Sequence, residues 1–152
     1  MQYWGDIMKT IDKIKAFKGK FPGTVTWRLK KHCSIIDKHI NPNEELLYAF
    51  CGQLNDNPLK IFDTGVVAIT SERLIVAQNY LWPGYKFISI TPDMYNDCTV
   101  RSGIIWGSIG IDTIKETTWV SNLSKKAMPE IETIITTFMQ EMKKKYPDRD
   151  DE

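Results

Sequence analysis

Histidine is the side chain that small proteins use most often for acid–base catalysis and for binding metal ions, and this chain has two. His32 and His39 fall in one predicted helix, at a spacing of seven residues. Two metal ligands on one helix face need a spacing of three or four, so the spacing argues against a helical zinc site. We therefore predict two solvated histidines on a basic helix face.

The three cysteines could supply a nucleophile, a disulfide or a zinc site, but their placement favours none of these. Cys33, Cys51 and Cys98 are far apart, odd in number and form no Cys-x-x-Cys pair. We expect them to be small residues at buried positions.

The remaining polar residues do not assemble into a recognisable catalytic pattern. Residues 44–152 contain no histidine, so a Ser-His or Cys-His dyad cannot form within them. Asp93, Asp97 and Asp112 fall in or beside predicted turns, where aspartate commonly bonds its own backbone. The glycines of SGIIWGSIG lack the spacing of a phosphate loop and lead from strand to strand. The sequence thus predicts no enzyme, no cofactor and no metal.

Length and composition indicate a folded globular protein. The 152 residues suffice for one domain with an appendage, and 42% of them are hydrophobic and 26% charged. No apolar run approaches the roughly 18 residues of a membrane span, and MQYWGDIMKT lacks the features of a signal peptide. We expect a cytoplasmic location. Residues 1–40 hold nine Lys or Arg against three Asp or Glu, a net +6, whereas the whole chain carries +1.

The first forty residues read as two helices. Helical spacing of three and four relates Trp4, Ile7, Met8, Ile11, Ile14 and Phe17. Phe21-Pro22-Gly23 ends this helix, and Thr24 is expected to cap a second one. The apolar stripe of that second helix comprises Val25, Leu29, Cys33, Ile36 and Ile40.

From residue 44 the apolar period changes to two, which is typical of strands. Seven short runs are separated by turn residues: ELLYAFCGQL, VVAITSE, RLIVAQN, YKFISI, DCTVRS, SIGIDT and KETTWV. With connections this short, neighbouring strands should pair antiparallel. A last helix begins near Pro129, and one face of it carries Ile131, Ile134, Ile135, Phe138 and Met142.

The segments EELLYAFCGQL, GVVAITSERLIVAQ and TVRSGIIWGSIGIDT resemble bacterial pleckstrin-homology (PH) domains of the YokE-like family, over about residues 43–142. The resemblance implies a mainly β α+β fold, a seven-stranded antiparallel bent sandwich or barrel capped by a C-terminal helix. Two N-terminal helices precede it. We expect a helical hairpin in residues 1–42, the PH-like domain in residues 43–146 and a flexible tail in residues 147–152.

In such a fold the hairpin at residues 66–78 is scaffold. Two residues of each strand should point into the sandwich, namely Val67, Ile69, Leu74 and Val76. Ser71, Glu72 and Arg73 should form a solvated turn.

The resemblance also implies where a ligand would lie. Lipid-binding PH domains hold phosphoinositides with a lysine between the first two strands and an Arg-x-Arg in the second strand. Lys60 lies in that loop, but GVVAITSE has no basic residue, which argues against inositol phosphate. The expected ligand or partner contacts are Lys60, Leu81, Trp82, Lys86, Trp106 and Lys115. Ile104 and Ile105 could extend this patch.

Our first functional hypothesis is a non-enzymatic PH-like module that binds a protein partner or itself in the bacterial cytoplasm. The resemblance implies homo-oligomers, with the stripe from Trp4 to Phe17 as a candidate contact. The alternative is peripheral binding to an anionic membrane through the Trp82 loop and a basic helical surface formed by Arg28, Lys30, Lys31 and Lys38. Nucleic acid is the least favoured partner, because few aromatics interleave the basic residues.

Overall fold

A computed structural model describes residues 9–80 and 83–145 of the chain and contains two helices, seven strands and a third helix, in that order. The helices are α1 (Thr10–Lys20), α2 (Leu29–His39) and α3 (Met128–Lys145), the last preceded by a short 3₁₀ turn (Lys125–Ala127). The strands are β1 (Leu46–Gln53), β2 (Thr64–Thr70), β3 (Leu74–Asn79), β4 (Tyr85–Ile90), β5 (Tyr95–Ser102), β6 (Trp106–Thr113) and β7 (Thr117–Ser124).

The seven strands form one curled antiparallel sheet in the order β4-β3-β2-β1-β7-β6-β5. Its two halves meet where β1 pairs with β7 through Gln53 and Ser121, and they diverge from that point. Gly52 lies beside this junction, and a Cβ atom there would come within 2.6 Å of Val120 on β7. Only glycine lets the two strands cross so closely. The predicted α+β architecture is confirmed.

Both faces of the first half of the sheet are buried. The inward face carries Val67 and Ile69, paired with Val76 and Leu74 on β3, as the sequence predicts. The opposite face is also apolar and fully covered, by Val66, Ala68, Ile75 and Ala77. Helix α2 packs on β2 and β3 and provides this second cover. The β2–β3 hairpin therefore has a buried apolar layer on each of its two faces.

Helix α1 closes the gap that opens where β1 leaves β7. The ring of Phe17 packs at 6.1 Å from Phe50 and edge-on at 6.4 Å from Tyr48. Glu130 at the start of α3 accepts a hydrogen bond from the Tyr48 hydroxyl at 2.9 Å and pairs with Lys20 of α1. The two N-terminal helices thus contribute to the same core as the strands.

The apolar stripe of the first helix does not have the role that we predicted. Ile14 and Phe17 are buried within the chain's own core, so they cannot form the contact with another copy that we expected. Trp4, Ile7 and Met8 lie outside the described residues.

Thr24 is not a helix cap, because α2 begins only at Leu29. The Thr24 hydroxyl instead accepts a hydrogen bond from the Ser124 amide at 3.1 Å, and the Val25 amide donates to the Asn122 carbonyl at 3.0 Å. These bonds hold residues 24–28 along the end of β7 in place of a first helical turn. Arg28, with φ of 55°, then turns the chain into α2.

Helix α3 packs on β5 and β6 through one apolar face. Its buried residues are Met128, Ile131, Ile135, Phe138 and Met139, and Ile134 and Met142 pack at the margin. Lys143 donates to the Tyr95 carbonyl at 2.8 Å and fixes the last turn of the helix on β5. The predicted apolar face is confirmed, with Met128 and Met139 as additions.

Candidate functional site

The turn between β2 and β3 contains a buried ion pair, contrary to the solvated turn that we predicted. Arg73 has a side chain only 16% exposed, and its Nε donates to Glu44 Oε1 at 2.9 Å. The guanidinium also donates to the His39 carbonyl at 3.0 Å and to Ser89 Oγ at 3.1 Å. Arg73 therefore joins the hairpin to α2, to the segment before β1 and to β4.

Glu44, whose side chain is 0% exposed, remains ionised through its hydrogen bonds. Burial by itself would raise the pKa of this carboxyl, but bonds donated by Arg73, by the Thr70 hydroxyl and by the Asn41 amide together lower it below the usual value. All its acceptor oxygens are engaged. The pair is a structural anchor and not an available acid or base.

His32 is buried, contrary to the prediction of a solvated histidine. It is 2% exposed, and its Nδ1 accepts a hydrogen bond from the Asn79 amide at 2.8 Å. Nε2 is buried without a partner among the described residues. Burial, followed by the charge of Arg28, lowers the pKa of His32 to about 4 and outweighs the opposing bond with the Trp27 backbone. His32 is therefore a neutral core residue at the end of β3.

Because His32 is buried in its neutral form, we expect the free energy of unfolding to fall by about 2 kcal/mol between pH 7 and pH 5. The folded pKa of about 4 lies below the ordinary value of 6.5, so the stabilisation is complete above pH 6.5 and is lost as the pH falls towards 4. Urea unfolding at the two pH values measures it. His32→Asn keeps an acceptor for the Asn79 amide and should lack this loss, whereas the His39→Asn control should retain it. Equal losses in wild type and His32→Asn would contradict the assignment.

His39 is half-buried and also differs from the solvated residue that we predicted. Its ring stacks on Phe87 with centroids 4.4 Å apart, and its Nδ1 lies 2.7 Å from the Ile35 carbonyl. Among residues 9–80 and 83–145, no group of three or more His, Cys, Asp or Glu is placed to hold a metal ion. No helix in the described part is long and apolar enough to cross a bilayer.

The cysteines are free thiols. Cys33 and Cys51 are buried and Cys98 is half-buried, and burial is the largest cause of a raised pKa in each. The values are about 12 for Cys33, about 11 for Cys51 and about 12 for Cys98. Since the thiolate is the reactive form, none of the three is a nucleophile at neutral pH.

The two edge strands of the sheet differ in how they are protected. β5 has a register shift between Tyr95 and Asp97, exposes Asp97 and Arg101, and has α3 packed on it. Bulges, charges and covering helices are the usual devices that stop an edge from pairing. β4 instead pairs with β3 in continuous register, and its one charged residue is Lys86. No strand in the described part pairs with its outer edge.

A cleft of about 270 Å³ runs beside this open edge. A hydrogen bond of 3.0 Å from the Ile114 amide to the Met94 carbonyl holds the β6–β7 turn against the β4–β5 connection and forms the far wall. The lining residues are Phe87, Ile88, Ser89, Ile90, Met94, Thr113, Lys115, Glu116 and Thr118. The cleft thus combines an apolar strand with one charge of each sign.

Two loops expose large apolar side chains elsewhere on the surface. Leu59 and Phe62 lie in the β1–β2 connection, where the Trp27 ring packs 5.5 Å from Phe62. Ile104 and Ile105 form the turn between β5 and β6 and are 95% and 66% exposed. These loops supply candidate contact surfaces that need no conformational change.

The structure places the predicted contact residues in separate regions. Lys60 is exposed in the β1–β2 connection, while Lys86 is half-buried near the start of β4 and Lys115 borders the cleft near its end. Trp106 is half-buried, and its indole N–H donates to the Gly23 carbonyl at 3.1 Å. Leu81 and Trp82 lie outside the described residues.

The predicted basic surface is mostly exposed. Lys30, Lys31 and Lys38 are exposed on α2, whereas the Arg28 guanidinium donates to Asn79 Oδ1 at 3.0 Å. The cleft was not predicted from the sequence. The available signal was the segment YKFISI, a strand with a single charge and no bulge residue, but its position at the sheet edge depends on the pairing of the other strands.

Residues 40–137 match the protein family described as Bacterial PH domain. Among solved structures, the chain is similar to a pleckstrin homology domain from Shewanella amazonensis, at 16% identity and a TM-score of 0.47, covering 82% of this chain and 96% of that one. It is also similar to a protein with a pleckstrin-homology domain from Shewanella loihica, at 14% identity and a TM-score of 0.46, covering 75% of this chain and 99% of that one. No curated protein matches the chain.

Proposed function

The chain belongs to the bacterial PH domain family, and we propose that it is a non-catalytic, cytoplasmic binding module that takes an extended segment of a partner protein along the open edge of β4. The observation that carries the proposal is the regular, uncovered course of β4 beside the cleft. Within the family, we assign the chain to the YokE-like group on the Thr-x-x-Arg-Leu-Ile hairpin at residues 70–75.

The chemistry of an open edge specifies the partner. Every second residue of β4 directs its backbone N–H and C=O away from β3, and an added strand would satisfy these groups. Alternate side chains of that strand would enter the cleft against Ile88 and Met94, and the others would face solvent. Lys115 and Glu116 at the rim can each receive a residue of opposite charge. We therefore expect a short segment with alternating apolar residues.

A second copy of this chain is a partner of the same chemistry. Two β4 strands in antiparallel pairing would join two sheets edge to edge without opposing like charges, because Lys86 is the one charged residue of the strand. Self-association is thus the second form of the same proposal.

Proline substitutions at neighbouring positions test the edge. In an antiparallel strand, the N–H groups of Ile88 and Ser89 point in opposite directions, one towards β3 and one outwards. Ile88→Pro and Ser89→Pro therefore form a matched pair. Ile88→Pro removes a bond to β3 and should lose about 3 kcal/mol of stability. Ser89→Pro removes an outward donor, together with the hydroxyl that accepts a hydrogen bond from Arg73, so it should melt with a Ser89→Ala control.

The binding probes are extended decapeptides selected from a displayed library on the wild-type chain, together with the chain itself in sedimentation velocity. Backbone NMR shifts should change along residues 86–90 and 113–116 when peptide binds. Ser89→Pro should bind peptide, or a second copy, at least tenfold more weakly than Ser89→Ala does. Unchanged affinity in Ser89→Pro would overturn the proposal.

A second candidate function is binding to anionic lipid through α2. It is supported by the exposure of Lys30, Lys31 and Lys38 on one short helix. Cosedimentation with anionic vesicles tests it, because Lys30→Glu with Lys31→Glu, or Trp82→Ala, should then reduce binding. Full binding by these variants would exclude this surface.

A further inference from the structure

The turn between β5 and β6 carries the most exposed apolar side chain of the described residues. Ile104 is 95% exposed and Ile105 66% exposed, at the tip of a hairpin closed by a 2.9 Å bond from the Gly103 amide to the Trp106 carbonyl. Neither side chain is part of the hydrophobic core or packs against it, and exposing apolar surface to water is unfavourable. Ile104 and Ile105 would therefore be stabilised by an apolar environment outside the chain.

Basic residues surround the tip. In the sheet Trp106 pairs with Ser124, so Lys125 and Lys126 follow directly beside the turn. Both lysines are exposed, and neither side chain makes a hydrogen bond or ion pair with another described residue. Arg101 lies on the neighbouring strand with its guanidinium 4.1 Å from the Trp119 ring.

Three segments of the chain meet at this end of the sheet, and the charged side chains there that have no acidic partner are basic. Trp106 bonds to Gly23, and Ser124 bonds to Thr24, which brings residues 17–27, 99–110 and 121–129 together. These segments contain no Asp or Glu. Lys20 is paired with Glu130, which follows the third segment, and the other basic residues are Lys18, Arg101, Lys125 and Lys126. We call this basic surface around Ile104 and Ile105 the isoleucine tip.

We propose that the isoleucine tip docks on an anionic lipid bilayer, inserting Ile104 and Ile105 among the headgroups while Lys125 and Lys126 contact lipid phosphates. The surface is a convex protrusion and not a groove, which suits insertion into a fluid interface better than recognition of a folded partner. A two-fold contact with a second copy would oppose the same positive surface to itself. Nucleic acid would gain nothing from isoleucines, which cannot stack on bases.

The strand that follows the tip is anchored to two other segments, so the hairpin is formed before it meets a bilayer. The Trp106 indole is bonded to Gly23, and a Cβ at Gly107 would come within 2.6 Å of Met128 Cγ, so β6 lies directly against the start of α3. A pre-formed apolar tip loses little conformational entropy on binding. This inference is independent of peptide binding at β4, which lies on the opposite edge of the sheet.

Cosedimentation of the full chain with phosphatidylglycerol–phosphatidylcholine vesicles, and with phosphatidylcholine alone, tests the proposal. Wild type should bind the anionic vesicles, and binding should weaken as salt is raised. Ile104→Ser with Ile105→Ser should weaken binding at least tenfold, and Lys125→Glu with Lys126→Glu by about tenfold or more at low salt. Both variants should melt with wild type, because all four side chains are exposed.

Ile114→Ser is the matched control, since Ile114 is 65% exposed on a different turn, between β6 and β7. It should bind vesicles as wild type does. Three results would each overturn the proposal: no binding of wild type to anionic vesicles, unchanged binding by the Ile104 and Ile105 double variant, or loss of binding only in the α2 lysine variants. Concentration-dependent self-association without vesicles, abolished by the double variant, would assign the tip to a protein contact instead.

Discussion

Arg73→Ala is expected to lower the free energy of unfolding by about 3–5 kcal/mol, because it leaves a buried carboxylate without its counter-charge. Glu44 is 0% exposed and receives two hydrogen bonds from Arg73, at 2.9 Å from Nε and 3.1 Å from Nη2. The same substitution removes the bonds to His39 and Ser89. Urea unfolding at pH 7 measures the loss.

Arg101→Ala is the matched control, because Arg101 is exposed, lies over the face of Trp119 and makes no side-chain hydrogen bond or ion pair with another described residue. We expect it to cost no more than about 1 kcal/mol. The Glu44→Ala and Arg73→Ala double variant should lose less than the sum of the two single variants, since removing both partners leaves no buried charge. Equal midpoints for Arg73→Ala and Arg101→Ala would contradict the anchoring role.

The acid dependence of unfolding gives a second readout of the same pair. In the folded protein, the pKa of Glu44 is held below its ordinary value of 4.5. Its stabilisation is therefore present above pH 4.5 and is lost as the pH falls through the lowered folded value. In Arg73→Ala, burial of the unpaired carboxyl should raise this pKa above its ordinary value, so protonation relieves the buried charge and this group's contribution to stability should rise, not fall, as the pH is lowered.

Phe138→Asp is expected to cost about 3–5 kcal/mol, because it places a carboxylate in the apolar face of α3 and leaves a cavity where the ring was. Phe138 is buried together with Ile131, Ile135 and Met139, where α3 packs on β5 and β6. Thermal and urea unfolding measure the loss.

The control for this substitution introduces the same carboxylate one position earlier. Thr137 is exposed, so Thr137→Asp should change stability by less than about 0.5 kcal/mol. Phe138→Leu should lie between the two, because it retains an apolar side chain but leaves part of the volume empty. A Phe138→Asp protein that melted with Thr137→Asp would show that α3 does not seal the sheet.

The two proposed surfaces lie at opposite edges of the sheet and are distinct in chemistry. The edge of β4 presents backbone hydrogen-bonding groups beside a mixed cleft. The isoleucine tip presents exposed apolar side chains within a positive surface. Because the variants that test one surface leave the other intact, each function can be lost separately.

The sequence by itself determined which segments form strands and which form helices. Alternation of apolar residues marks YKFISI as a strand, and spacing of three and four marks Ile131, Ile135 and Phe138 as one helix face. These patterns arise from local backbone geometry, which is the same whichever distant segment provides the cover. The exposure of Ile104 and Ile105 could also be predicted from the sequence, since a turn between two strands has few neighbours.

Only the tertiary structure decided what the polar residues do. Arg73 meets Glu44, 29 residues away, and His32 meets the Asn79 amide, 47 residues away, so no local pattern could show that both are buried. Thr24 is extended because β7 offers it hydrogen bonds at Ser124, 100 residues later. The segments that pack against a polar side chain set its environment, and hence its charge and its role. The period of apolar residues, in contrast, is a local property of the sequence.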